Sequence, residues 1–427
     1  MKSLWKRWLS RSGLSRPHNF ARTLPVLLVL VLSGVVAGAA VWFAVEGELA
    51  AGGPRAGYFV YLLAILVLAL VLAPWPRATV ALLILALVEL SWGVGSHVLE
   101  RTRQAGASLL PPVLAEPERF QWHALLQAVL IPGLKFTSPT GLSISHTSEG
   151  TRGRDPAPQA LDSRSVVATF GGSTTYDIGA GEGETWSDRL EEALGRERTF
   201  VVNHGVPGYS TVEHLIQTAF YQTRFGKPPR CAVYYVGWND LRNAHIPHLD
   251  PGYADFHLPS QVDSLKVRRI GGAHVTLSPV LTVMARVVSA NVDTVRYSAD
   301  PYVHAPESGG DPVLEALYER NVRSISAINR ARGITTIWVG QLLNRERLQG
   351  DGRYGWLPLV RDRDVWPLQQ HFNEILARTA ASLQDIHVAV PIDAFSGADF
   401  VDNGHFSAQG ARRFAAYLAL AVSGACR

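Results

Sequence analysis

Charge is scarce and unevenly placed in this 427-residue chain. Charged residues are 18% of the total, and none falls between Leu24 and Val45. The net charge is +4, but six basic residues (Lys2, Lys6, Arg7, Arg11, Arg16 and Arg22) precede the first acidic one, so the rest of the chain is net negative. The basicity is a tail rather than a groove, which argues against a nucleic-acid partner. No Gly-x-Ser-x-Gly elbow occurs, which argues against the α/β-hydrolase fold. His245, His248 and His257 share a Pro/Asp-rich loop, but their spacing fits no zinc pattern, and no metal or cofactor is expected. Cysteine is limited to Cys231 and Cys426.

Apolar residues make up 47% of the chain, far from a disordered profile, and they crowd the first hundred positions. After the basic tail, 1–22, three apolar segments (about 24–45, 56–76 and 78–98) fill 23–98. Each is near the roughly 20 residues that cross a bilayer as helix. Ala37-Gly38-Ala39-Ala40 offers a signal-peptidase site. However, the apolar run exceeds an h-region of about 7–15 residues, and two more spans follow. The basic tail puts the N-terminus in the cytoplasm of a multi-pass inner-membrane protein. Three crossings then place everything after about Glu100 outside, in the periplasm or at the cell surface. Gly34 and Gly38 form a small-xxx-small pair suited to close helix packing. Glu89, midway along the third span, is expected to face a hydrogen-bonding partner inside the bundle, or else a lipid-borne substrate or a second membrane protein.

Residues 99–164 read as a loop-rich extracytoplasmic linker, punctuated by Pro111-Pro112 and Pro132-Gly133, with one amphipathic helix over Phe120 to Leu134. From Ser165 to the C-terminus strand-like and helix-like segments alternate, which predicts a parallel sheet with helices on both faces. Strands are expected at 165–170, 199–203, 231–236, 334–339 and 386–391. Helices are expected at about 185–195, 211–225, 313–332, 367–383 and 407–422. Residues 241–311 form a long insertion, with a short helical run near Val280 to Val288, of a length that often rims a site.

Unusual residues gather where strands end, which is where open α/β sheets place their sites. The first strand ends in Gly171-Gly172-Ser173-Thr174-Thr175. The second ends in Asn203-His204-Gly205, with a backbone N–H expected to be free at Gly205. The third ends in Gly237-Trp238-Asn239-Asp240. Just before the last helix stands Asp402-Asn403-Gly404-His405. A serine hydroxyl needs an imidazole to take its proton, and the imidazole needs a carboxylate to hold its tautomer. Ser173, His405 and Asp402 can supply these, with Asp399 or Asp393 as alternatives to Asp402. The oxyanion needs donors, for which Gly205 N–H, the Asn239 amide and Ser173 N–H are candidates. Trp186, Tyr176, Tyr209 and Trp238 could wall a cleft or pack the core, and Asp240 could cap a turn.

Taken in order, these four motifs resemble those of the SGNH hydrolases, the GDSL-type esterase superfamily, with Gly172 where the family name has Asp. The resemblance covers 165–427. It implies a flavodoxin-like three-layer α/β/α parallel sheet, with Ser173 as nucleophile, His405 as base, Asp402 as orienting acid, and Gly205 and Asn239 as oxyanion donors. In that fold Cys231, opening the third strand, and Cys426, ending the last helix, lie opposite the active site, where a disulfide is feasible. The implied activity is that of a membrane-anchored serine esterase releasing ester-linked acyl groups from envelope glycans or lipids. An O-acyltransferase modifying an envelope polysaccharide, with a multi-spanning membrane partner, would use the same triad. The non-enzymatic reading is a membrane-tethered module that binds glycan or an assembly partner.

Overall fold

The computed structural model describes residues 17–103, 109–111, 119–138, 140–157, 161–249, 277–292, 304–354 and 357–426. In chain order the elements begin with helices α1 (Pro17–Val45), α2 (Pro54–Val71) and α3 (Pro76–Arg103). Short strands follow: β1 (Phe120–His123), β2 (Gln127–Leu130), β3 (Lys135–Thr137) and β4 (Ser143–Ser145). Next come β5 (Ser165–Gly171), α4 (Ser173–Tyr176), α5 (Trp186–Leu194), β6 (Thr199–Asn203), α6 (Thr211–Phe220) and β7 (Cys231–Val236). The last are α7 (Pro279–Val292), α8 (Pro312–Ala331), β8 (Thr335–Gly340), α9 (Asp362–Leu383), β9 (Ile386–Val388) and α10 (Ala408–Ala425). The chain forms two compact units, Met1–Glu116 with Ala273–Arg296, and Pro117–Gly272 with Tyr297–Arg427.

The first unit holds three helices long and apolar enough to cross a membrane, at Leu24–Val45, Pro54–Val71 and Pro76–Leu99. Side chains such as Val36, Phe43, Leu62, Leu66 and Ala86 are buried between them, while Val31, Val67 and Leu87 point outward. Of the six basic tail residues only Arg22 lies within the described residues. Glu89 is 1% exposed and finds its partners inside this unit: Tyr61 donates its hydroxyl to Glu89 Oε1 at 2.9 Å, Ser278 Oγ donates to the same oxygen, and Val280 N–H donates to Oε2 at 3.1 Å.

In the second unit the five parallel strands lie in the order β6-β5-β7-β8-β9. This is the doubly wound order 2-1-3-4-5 of the flavodoxin-like fold. Alternate residues of each strand serve two separate cores, because successive side chains leave a strand on opposite faces. Ala168, Phe170, Tyr234 and Trp338 pack on one side against α8 and α9 through Leu317, Val322 and Phe372. Val167, Val233, Tyr235 and Ile337 pack on the other against α5 and α10 through Trp186, Leu190, Phe414 and Leu418. The expected three-layer α/β/α architecture is therefore present. Strand β9 is shorter than expected, and α9 begins five residues early, taking Pro367 inside it. Cys231 and Cys426 are bonded as a disulfide, with Cα atoms 5.7 Å apart.

Two larger assignments also differ from the sequence reading. Phe120–Leu134 is not a helix: β1 and β2 pair antiparallel, Phe120 opposite Leu130. Leu126, Ala128 and Leu130 are buried at every second position, a strand period that an apolar count over a helical window conceals. They pack with Tyr176, Val206 and Tyr209, so this stretch belongs to the second unit rather than to a linker. The insertion 241–311, expected wholly within the catalytic domain, instead contributes α7 to the first unit.

Candidate active site

The loop leaving β5 is built to present Ser173. Gly172 O accepts from both Thr175 N–H and Tyr176 N–H, which winds one helical turn directly at the strand's carboxyl end. Asp177 closes the turn in the left-handed region, at φ 63°, where Asp is among the residues that tolerate it. Its carboxylate accepts the Trp186 N–H at 2.8 Å, and Trp186 Nε1 donates to Thr174 O at 3.0 Å. The turn carrying Ser173 is thus clamped to the start of α5. Complete burial pushes Asp177 up to about 8.

His405 arrives on a small hairpin before α10. Phe400 and Phe406 pair antiparallel, and Val401 N–H donates to His405 O at 2.9 Å. At the tip, Asp402 Oδ1 accepts the N–H groups of Gly404 and His405, each at 2.9 Å, which is the Asx-turn geometry that short acidic side chains favour. Its other oxygen meets His405 Nδ1 at 2.6 Å, and His405 Nε2 meets Ser173 Oγ at 2.7 Å. A carboxylate can only accept, so Nδ1 carries the proton and Nε2 is left to accept from the serine hydroxyl. This is the tautomer a general base requires. Partial burial would raise Asp402, but the hydrogen bond and electrostatic interaction with the His405 ring and the N–H groups of Gly404 and His405 outweigh it and hold the carboxyl at about 2.

The expected oxyanion donors fall into two groups. Gly205 N–H is not free: it donates to Asn203 Oδ1 at 2.8 Å, because Asn203 bends back over its own turn while its amide nitrogen ties to Thr175 O at 2.7 Å. Asn239 Nδ2 donates one hydrogen to Tyr209 O at 2.8 Å, leaving its second for another acceptor. A β-carbon at Gly172 would lie 2.1 Å from Asn239 Nδ2, so the amide sits directly against the backbone of the serine turn. Ser173 N–H opens a helical turn, where the first N–H groups have no intrahelical acceptor.

Other singled-out residues are structural. Trp186, Tyr176, Tyr209 and Trp238 are all buried, as core packing requires. His204 stacks on Phe170 at 4.5 Å, and burial holds it well below the ordinary histidine range. Asp240 caps α6 through Thr211 N–H and Oγ1. Asp399 pairs with Arg413 at 3.2 Å, and Asp393 lies 3.9 Å from Arg345; His405 bonds Asp402 instead. Among the described residues no three or more His, Cys, Asp or Glu side chains cluster as metal ligands would, and His257 lies outside them. Sequence reasoning missed the support of the His405 hairpin: Asn344 N–H donates to Asn403 O at 2.9 Å, and Asn403 Nδ2 donates to Tyr354 OH at 3.0 Å. These contacts come from loops without a motif, so no local signal marks them.

No family model and no curated protein sequence matches the chain. Solved structures to which it is similar include a GDSL-like lipase from Bacteroides thetaiotaomicron (13% identity, TM-score 0.34, covering 63% of this chain and 94% of that one). Others are AlinE4, an SGNH-hydrolase family esterase (17%, 0.30, 62% and 99%), and a variant of an acetyl-xylooligosaccharide esterase from Geobacillus (11%, 0.35, 61% and 94%). At these identities and TM-scores the likeness carries no argument about chemistry, which rests on the side chains themselves.

Proposed function

We propose that this chain is a membrane-anchored serine esterase of the SGNH kind that releases acyl groups from envelope glycans or lipids. The observation that carries this reading is the contact chain from Ser173 Oγ to His405 Nε2 to Asp402, at 2.7 and 2.6 Å. As Ser173 attacks an ester carbonyl, its proton passes to His405 Nε2, and Asp402 stabilises the imidazolium. The tetrahedral oxyanion is met by the Asn239 amide and Ser173 N–H, and by Gly205 N–H only if Asn203 releases it. His405 then returns the proton to the departing alkoxide, leaving an acyl-Ser173 ester. Water, deprotonated by the same imidazole, releases the acid and restores the serine.

A catalytic unit outside the cytoplasm, with the N-terminus inside, is supported by the basic residues ahead of the first span. The Cys231–Cys426 disulfide supports it too, since such bonds persist in oxidising compartments. Transfer of the acyl group to a sugar hydroxyl instead of water needs no change in the triad. Fluorophosphonate labelling of the full-length protein, lost in Ser173→Ala, is the expected result. Absence of labelling in the native protein would favour a binding module. Acetyl release against transfer with purified envelope glycans separates esterase from transferase.

A further inference from the structure

Helix α7 belongs to the same unit as the three apolar spans, although its sequence lies inside the insertion between β7 and α8. Its start is fixed on α3. Glu89 is ten residues before Leu99, the end of the third apolar stretch, or about 15 Å along the axis, which is half the thickness of a bilayer's hydrocarbon core. At that level Glu89 accepts from Ser278 Oγ and Val280 N–H. Leu277 and Pro279 seat against Gly57 and Gly93, where added β-carbons would meet them at 3.0 and 3.2 Å.

We propose that Leu277 to Val292 is a re-entrant membrane element whose outward face is covered by lipid acyl chains. The first support is the start of the helix. A helix N-terminus in water can leave its first N–H groups to solvent, whereas at membrane depth each needs a protein acceptor. Here all are accounted for. Pro279 has no N–H, and Val280 donates to Glu89 Oε2. Leu281 donates to Ser278 Oγ at 3.0 Å, and Thr282 to Ser278 O at 3.0 Å. The second support is length. Fourteen residues of helix reach about 21 Å, more than half a hydrocarbon core and less than a whole one. The flanking chain belongs to one sheet, with β7 before and β8 after, so the segment must leave by the side it entered. The third is the outward face: Leu281, Met284 and Val287, three residues apart, are 54%, 56% and 57% exposed, like the outward residues of the spans. An aqueous helix would carry polar side chains there. Glu89 is then the anchor for a lipid-facing half-helix.

The test uses the full-length protein in vesicles of phosphatidylcholine and phosphatidylglycerol. Leu281→Cys, Met284→Cys and Val287→Cys are spin-labelled singly without reductant, leaving the Cys231–Cys426 bond closed. Nitroxide collision with oxygen, which partitions into lipid, is compared with collision with a water-soluble nickel chelate. Val67→Cys on α2 is the lipid reference and Leu420→Cys on α10 the water reference. The three α7 positions are expected to follow Val67, with oxygen dominant. Nickel dominance confined to α7 overturns the proposal alone, whereas nickel dominance at Val67 as well brings down the membrane reading on which it rests. Glu89→Leu is expected to shift the α7 positions toward nickel while Val67 stays unchanged, and Glu89→Gln, which keeps one oxygen, to shift them less. No shift in Glu89→Leu overturns the anchoring role of Glu89.

Discussion

The side-chain amide of Asn239 fills the space that a β-carbon on Gly172 would need, 2.1 Å from its ideal position. A donor group from the end of β7 thus lies against the backbone that turns Ser173 into place, and glycine at 172 is what admits it. Gly172→Ala is expected to push the amide aside while the fold persists. Asn239→Ala removes it outright. Both should lower kcat on an activated ester by about 10²–10³-fold, as loss of one oxyanion donor does, with little change in KM. Steady-state kinetics on the two variants checks this; a full-rate Asn239→Ala would remove the residue from the oxyanion site.

Asp402→Asn leaves the shape of the hairpin tip but loses the acceptor that fixes the His405 tautomer. By analogy with other Ser-His-Asp triads kcat should fall on the order of 10³–10⁴-fold. The native carboxyl sits at about 2, below its ordinary 3.8. Its stabilising contribution is therefore complete above 3.8 and is lost only as pH falls through about 2. Circular dichroism of native and Asp402→Asn proteins across that acid range should show the two converging at its lower end.

Asp177 behaves in the opposite sense. The unfolded chain ionises it near 3.8 and the folded chain near 8, so the folded state holds an extra proton in between. Stability from this group falls as pH rises from about 4 to about 8. Asp177→Asn keeps an acceptor for Trp186 N–H and cannot ionise. Its melting temperature should decline less than that of the native protein between pH 5 and pH 8. Parallel decline would place the buried proton elsewhere.

The disulfide joins the first residue of the central strand to the residue capping α10, 195 positions apart. Replacing both cysteines by serine should cost about 2–5 kcal/mol of stability, read as a lower urea midpoint. Esterase activity should persist in the variant at low temperature, since neither sulfur touches the triad.

The sheet was legible because its strands are buried on both faces, so 165–171, 199–203 and 231–236 read as nearly continuous apolar runs. The Asp402–His405 pair was legible because three residues and a turn suffice to join them. The β1–β2 hairpin was not, since a few residues of alternating burial resemble part of an amphipathic helix. The engagement of Gly205 N–H by Asn203 was equally hidden, because a motif names residues and not the hydrogen bonds they make.

The sequence by itself determined the three apolar helices, the α/β alternation and the residue types at each strand end, all properties of periodicity and local chemistry. Only the tertiary structure decided that α7 joins the spans through Glu89, that Cys231 and Cys426 meet, and that Ser173 and His405, 232 positions apart, come within 2.7 Å. Long-range contacts depend on how whole layers pack, and no window of neighbouring residues carries that information.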